Sequence, residues 1–143
     1  DVAATLERME TLGIGLVGYG TDRFPAFYRP DSGFPLEWRL DTPDEVAAVM
    51  AARADLGTDA TALVVANPVT EDAALPQDVH DRVLADGLDR ADRAGVRGKD
   101  VTPFLLAHFH DATDGASLTV NVDLVLANAA LAARIAVAAA PGR

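Results

Sequence analysis

Cysteine is absent, which excludes disulfides, thiolate catalysis and cysteine-ligated metals. Lysine occurs once, at Lys99, so basic charge is carried almost wholly by arginine. Positive charge is scarce overall: 12 basic against 22 acidic side chains leave a formal charge of -10. That balance argues against nucleic acid as a partner, since binding its backbone needs clustered Lys and Arg. A small phosphorylated substrate stays compatible, because a few local donors outweigh a distant negative surface. There is no Walker loop, dinucleotide fingerprint, nucleophile elbow or HExxH pattern. No apolar run is read as reaching the roughly 18–20 residues of a membrane span, and no signal peptide precedes the first helix. The expectation is a cytoplasmic protein without a membrane partner.

What is present describes a globular chain. Half of the 143 residues are hydrophobic and 24% are charged, enough to bury a core and too apolar for disorder. The chain opens on Asp1 inside a helical pattern (Val2, Leu6, Met9 and Leu12 share a face), which reads as a piece of a larger protein. Gly13 stops that helix. Ile14–Val17 is a short apolar run ending in glycine, as in a buried parallel strand. Phe34–Leu40 reads as extended. Thr42-Pro43-Asp44-Glu45 is a strong helix start, with a capping Thr, Pro in the first turn and acids facing the helix dipole. Its helix runs to Leu56 and closes at Gly57.

Thr61–Ala66 reads as a second buried strand. Two helix–strand pairs in succession predict an α/β fold, three layers with a mostly parallel sheet, of which residues 1–143 form one part of a single domain. Three further helices are expected. Gln77–Ala94 is amphipathic and exposed. A second opens at Thr102-Pro103 and runs to about Ala112. Ser117–Ala139 is apolar on most sides and therefore buried or at an interface.

The residues with chemical potential are few. Gly18-Tyr19-Gly20-Thr21-Asp22 and Phe24-Pro25-Ala26-Phe27-Tyr28 form a loop too rich in glycine, proline and aromatics for a regular element. Such segments occur where a loop approaches a ligand or a subunit closely. Asn67-Pro68 falls at the carboxyl end of a strand, where parallel sheets bind ligands, although Asn-Pro also simply turns a chain. Asn121 and Asn128, seven apart, share a helix face; each either satisfies neighbouring backbone or reads an amide-like edge such as that of uracil. His108 and His110 point to different helix faces and His80 lies on an exposed helix, so zinc is not expected. Asp22 has no decided role, and Lys99, between Gly98 and Asp100 in a loop, reads as a solvated lysine.

In combination these segments are specific. The glycine-tyrosine loop, Val65-Ala66-Asn67-Pro68, Gly98-Lys99-Asp100-Val101-Thr102-Pro103-Phe104, and Ser117-Leu118 through Asn121 to Asn128-Ala129 resemble the C-terminal half of the pseudouridine-5'-phosphate glycosidase family. The resemblance implies cleavage of the C–C glycosidic bond of pseudouridine 5'-phosphate to uracil and ribose 5-phosphate, reversibly. It implies a lysine Schiff base on the ring-opened sugar, a divalent metal (typically Mn2+) near the phosphate, and a homotrimer. By position Asn121 is the implied catalytic, base-contacting residue. Asn67, Thr102 and Pro103 are implied to border the substrate. The implied Schiff-base lysine, metal ligand and proton-relay acid all fall before Asp1, and Lys99 matches a different lysine of the family. Arg23 stands where the family usually has an acid. The contrasting expectation is a non-catalytic α/β module for sugar-phosphate binding or subunit association.

Overall fold

The computed structural model describes residues 1–140. Helix α1 (Val2–Thr11) leads into strand β1 (Gly15–Tyr19). After the aromatic loop come the two-residue strand β2 (Arg39–Leu40), helix α2 (Pro43–Asp55) and strand β3 (Leu63–Ala66). The remainder is helical: α3 (Gln77–Arg93), a 3-10 turn (Gly98–Asp100), α4 (Val101–Ala112) and α5 (Ala116–Ala138). The sheet order is β2-β1-β3 and both pairings are parallel, with Gly18 opposite Arg39 and Leu16 opposite Val64. The expected α/β fold is therefore borne out.

Local chemistry explains the boundaries. Asp1 caps α1 by accepting from the Ala4 N–H at 3.1 Å. The start of α2 is a complete capping box: the Thr42 hydroxyl accepts from the Glu45 N–H at 3.2 Å, and Glu45 accepts from the Thr42 N–H at 2.9 Å. The backbone N–H of Asp41, then that of Thr42 and the Thr42 side chain, hold the Glu45 carboxyl below its ordinary pKa. Arg53 at the other end of α2 donates to the carbonyls of Thr58, Thr61 and Ala62, tying the helix to the approach of β3. Gly15 leaves the space for it; a Cβ there would lie within 3.1 Å of Leu63 and closer still to the Arg53 guanidinium.

The extended segment Phe34–Leu40 pairs as a strand at Arg39–Leu40, after answering the aromatic loop through an Arg23–Pro35 bridge. Of the two alternatives for the helix at Ala116–Ala138, burial within the described residues is corrected: only Ser117, Val120 and Leu131 are buried, while Val125 and Leu126 are 59% and 63% exposed. Its 23 residues are also long and apolar enough, by length and composition, to cross a membrane, so a run of span length does exist.

The main core lies away from the sheet. Tyr28, Val69, Leu75, Val83, Phe109 and Val120 form one buried cluster joining the aromatic loop, the segment after β3, α3, α4 and α5. His80 is a further correction: it sits on α3 yet is mostly covered, its ring 5.6 Å from that of Phe109.

Candidate functional site

The aromatic loop is a built structure. Gly20 adopts φ +68°, and a Cβ on Gly18 would fall within 3.1 Å of the Thr21 carbonyl carbon and closer to its oxygen, so both positions require glycine. Arg23 organises the rest of the loop: its Nε donates to Asp31 at 3.1 Å and its Nη2 to the Gly33 carbonyl at 3.1 Å. The Gly33 N–H, together with Arg23, holds the Asp31 carboxyl below its ordinary range. Phe27 takes φ +63°, a left-handed conformation that is costly for an aromatic residue. That turn swings Tyr28 inward, where it is 5% exposed and packs on Phe109 with ring centroids 4.9 Å apart. Burial raises the Tyr28 pKa, against the opposing effect of a side-chain hydrogen bond with Ser117, itself 1% exposed. The loop is thus anchored to the first turn of α5, four residues before Asn121.

The carboxyl end of β3 meets the middle of α5. Asn67 Nδ2 donates to Asn128 Oδ1 at 2.9 Å, bridging 61 residues of chain. This bond leaves Asn67 Oδ1 as an acceptor and the Asn128 amide as a donor, on neighbouring atoms. Asn121 is half-buried two turns closer to the start of α5, on the same face. Below the amide pair runs a groove of about 630 Å³ between β3, α2 and α5, walled by Val46, Met50, Leu63, Val65, Leu131 and Ile135.

The remaining candidates lie elsewhere. Thr102 and Pro103 occupy the first turn of α4 and are exposed; among the described residues neither side chain hydrogen-bonds to Asn67, Asn121 or Asn128. Lys99 is exposed in the 3-10 turn, and Asp22 is exposed in the aromatic loop. His108 packs between α4 and α3, its Nε2 3.2 Å from Asp86, whereas His110 faces solvent. Among the described residues no three His, Asp or Glu side chains gather into a set able to hold a metal ion. These residues therefore do not fit the expected manganese by themselves, since hard divalent cations take several oxygen ligands. A second trough, about 580 Å³ between α1, β1, the segment before β2 and α2, is walled mainly by apolar side chains. Its charged lining is Glu10, Glu37 and Arg53, and Arg53 is committed to backbone carbonyls.

The bond to Asn128 is the feature sequence reading missed. The i, i+7 spacing grouped Asn128 with Asn121, but its partner across the fold depends on how α5 lies over β3, which spacing does not encode.

Known proteins are similar to this chain in sequence and in fold. The family described as "Indigoidine synthase A like protein" matches residues 1–138. The chain belongs to the indigoidine synthase A-like family. The pseudouridine-5'-phosphate glycosidase of Salinispora tropica is 59% identical over 140 residues, 98% of this chain and 43% of its own length. That of Streptomyces griseus is 53% identical over 143 residues, all of this chain and 44% of its own. The indigoidine synthase A-like protein of Thermotoga maritima superposes with a TM-score of 0.80 at 37% identity, over 95% of this chain and 44% of its own. The prealnumycin C-glycosynthase AlnA, solved in complex with ribulose 5-phosphate, gives 0.85 at 25% identity, over 97% and 45%. The chain spans less than half the length of these relatives.

Proposed function

We propose that this chain forms part of a pseudouridine-5'-phosphate glycosidase, cleaving the C–C glycosidic bond to give uracil and ribose 5-phosphate and able to run the reaction backwards. The observation that carries the reading is the 59% identity over 98% of the chain to a protein of that name. The amide-bearing face of α5 beside the carboxyl end of β3 supports it, because parallel sheets bind ligands there.

The chemistry assigns separate tasks. A C–C bond to a sugar breaks when its electron pair can leave on the uracil ring, and a lysine amine bonded to that carbon of the ring-opened sugar drives the step by forming the imine that remains on the sugar. Lys99 is exposed and is not assigned that role. The reacting lysine, the manganese ligand and the proton relay belong, in this reading, to the part of the relatives' length that this chain does not match. As the bond breaks, negative charge spreads to the uracil carbonyls, and Asn121 donates a hydrogen bond to them. Asn67, held by Asn128, borders the substrate, with Thr102 and Pro103 shaping the wall. The same reading carries a cytoplasmic homotrimer and a small-molecule nucleotide substrate.

Borohydride trapping with ribose 5-phosphate tests the division of labour. The isolated chain should give no covalent adduct; an adduct on Lys99 would overturn the reading. A second reading, a non-catalytic sugar-phosphate module, draws on the likeness to AlnA, which was solved with ribulose 5-phosphate. It is favoured if the complete protein binds ribose 5-phosphate yet releases no uracil from pseudouridine 5'-phosphate.

A further inference from the structure

Tyr19 ends β1, the central strand, and stands at the carboxyl edge of the sheet. The ladder with β3 runs in register from Gly15 opposite Leu63 to Gly18 opposite Ala66, and its next step sets Tyr19 beside Asn67. Neighbours in a parallel ladder share a face, and alternate residues return to it. A Cβ on Gly15 would meet Arg53 of α2, and Leu63, Val65 and Asn67 line the groove against α2 and α5. Tyr19 therefore projects on that same face, next to Asn67. The other face at Gly18 is filled by Leu36 and the Thr21 carbonyl, and Gly20 at φ +68° turns the chain away directly after the tyrosine. Tyr19 is half-buried, and among the described residues its hydroxyl makes no hydrogen bond.

We propose that Tyr19 is a substrate-contacting residue whose hydroxyl acts with Asn67 Oδ1 on the hydroxyl groups of the substrate's sugar, and that Asn128 is the positioning residue for that Oδ1. The identity of the sugar rests on the proposed reaction. The chemistry of the edge selects a neutral polyol. Tyr19-Gly20-Thr21-Asp22, Leu40-Asp41-Thr42 and Asn67-Pro68 carry two acids and no lysine or arginine, so a phosphate would lack a counter-charge here. Arg39, one residue earlier, is already paired with Asp41 at 2.8 Å. The other two hydroxyls of the edge are committed: Thr21 accepts from the Arg23 N–H at 3.0 Å and Thr42 from the Glu45 N–H at 3.2 Å. The Tyr19 phenol, donor and acceptor, and Asn67 Oδ1, an acceptor, remain; together they suit a sugar hydroxyl. Because Asn67 Nδ2 is spent on Asn128 Oδ1 at 2.9 Å, the acceptor end of the Asn67 amide is turned away from Asn128. The base has its own contact, since Asn121 precedes Asn128 by about 10 Å along α5. That helix leaves the buried cluster at Val120 and reaches the end of β3 at Asn128, so base and sugar contacts are set apart along it.

The test uses the complete protein. Tyr19→Phe keeps the ring and removes the hydroxyl, so the circular dichroism spectrum should not change. In the synthetic direction its KM for ribose 5-phosphate should rise about tenfold, the scale of one lost neutral hydrogen bond, while its KM for uracil stays within about twofold. Calorimetry with ribose 5-phosphate and its 2-deoxy and 3-deoxy analogues locates the contact. The parent should bind at least one deoxy sugar about tenfold less tightly than ribose 5-phosphate, and Tyr19→Phe should lose that preference. Asn128→Leu should also raise the KM for ribose 5-phosphate about tenfold. Asn128→Asp, which keeps an acceptor for Asn67 Nδ2, should recover most of that loss. The role of Tyr19 is overturned by an unchanged KM for ribose 5-phosphate, by an equal rise in both KM values, or by a hydroxyl preference that is absent from the parent or survives the substitution. The role of Asn128 is overturned if Asn128→Leu is silent or Asn128→Asp recovers nothing. A protein that binds ribose 5-phosphate yet forms no pseudouridine 5'-phosphate from it and uracil would sink the proposed reaction, and the calorimetric comparison would still decide Tyr19.

Discussion

At the scale of single residues, Tyr28 concentrates more of the structure than any other side chain. It closes the strained Phe27 turn, stacks on Phe109 and meets Ser117 at the base of α5. Burial favours the neutral phenol, so its folded-state pKa lies above the unfolded value of about 10. The contribution of Tyr28 is therefore fully present below about pH 10 and is lost as pH rises through the folded value. Tyr28→Phe should cost about 0.5–1.5 kcal/mol near neutrality for the lost hydrogen bond. It should also flatten the alkaline fall in stability, read by urea unfolding between pH 9 and pH 11. An identical alkaline fall in the variant would remove Tyr28 from this role. Asn121 makes a different demand: in the assembled enzyme Asn121→Ala should lower kcat/KM about a hundredfold, the scale of losing one donor to a developing oxyanion. Its melting temperature should barely move, since the side chain is only half-buried. An unchanged kcat/KM would refute the assignment.

At the scale of elements, the helix starts were legible because their chemistry is local. Thr42-Pro43-Asp44-Glu45 announces a capping box in four residues, and the box is complete. Thr42→Ala should cost about 1 kcal/mol by thermal unfolding at pH 7. The Glu45 carboxyl, held low by the backbone N–H groups of Asp41 and Thr42 and also by the Thr42 side chain that Thr42→Ala removes, contributes stability that is present above its unfolded pKa and lost as pH falls through the folded value. The difference between Thr42→Ala and the parent should therefore narrow on acidification; a constant difference would show the two halves of the box to be independent. Packing between helices was not legible. Glycine inside a helix costs stability by propensity alone, yet at Gly87 in α3 a Cβ would meet His108 Cδ2 at 2.7 Å and Leu105 Cδ2 at 2.9 Å. Gly87→Ala gains about 1 kcal/mol of helix propensity and meets overpacking of about 1–3 kcal/mol. The expected outcome is net destabilisation in thermal melts, and a stabilised variant would mean that α3 and α4 part easily. The partners of the extended segment were not legible for a related reason: alternation at Leu36, Trp38 and Leu40 describes an extended chain, but not that Phe34 and Leu36 pair with the aromatic loop while Arg39–Leu40 joins the sheet.

At the scale of the molecule, the α/β class and both parallel strands could be read from helix–strand alternation, whereas the surroundings of β3 and α5 could not. Apolar periodicity reports that a face wants cover; it does not say whether the cover lies within the same residues. Along α5 the discrepancy is plain, since Leu118, Val122, Val125 and Leu126 are each about half exposed or more. Asn67 was legible as a strand-end residue and Asn121 as a helix-face residue, but the bond that joins Asn67 to Asn128 depends on the crossing of β3 and α5. The exposed stripe gives a prediction that separates folding from assembly. Val125→Lys with Leu126→Glu replaces two solvent-facing apolar side chains while leaving Leu131 and Val120, which bury α5, untouched. Exposed substitutions of this kind usually change stability within about 0.5 kcal/mol. The isolated chain should therefore melt almost unchanged, and it should self-associate less at high concentration, because a contiguous apolar patch has been broken. Assembly with the unmatched portion of a relative should weaken if α5 is covered there. A large fall in the melting temperature of the isolated chain would show instead that this face is already packed within the 143 residues.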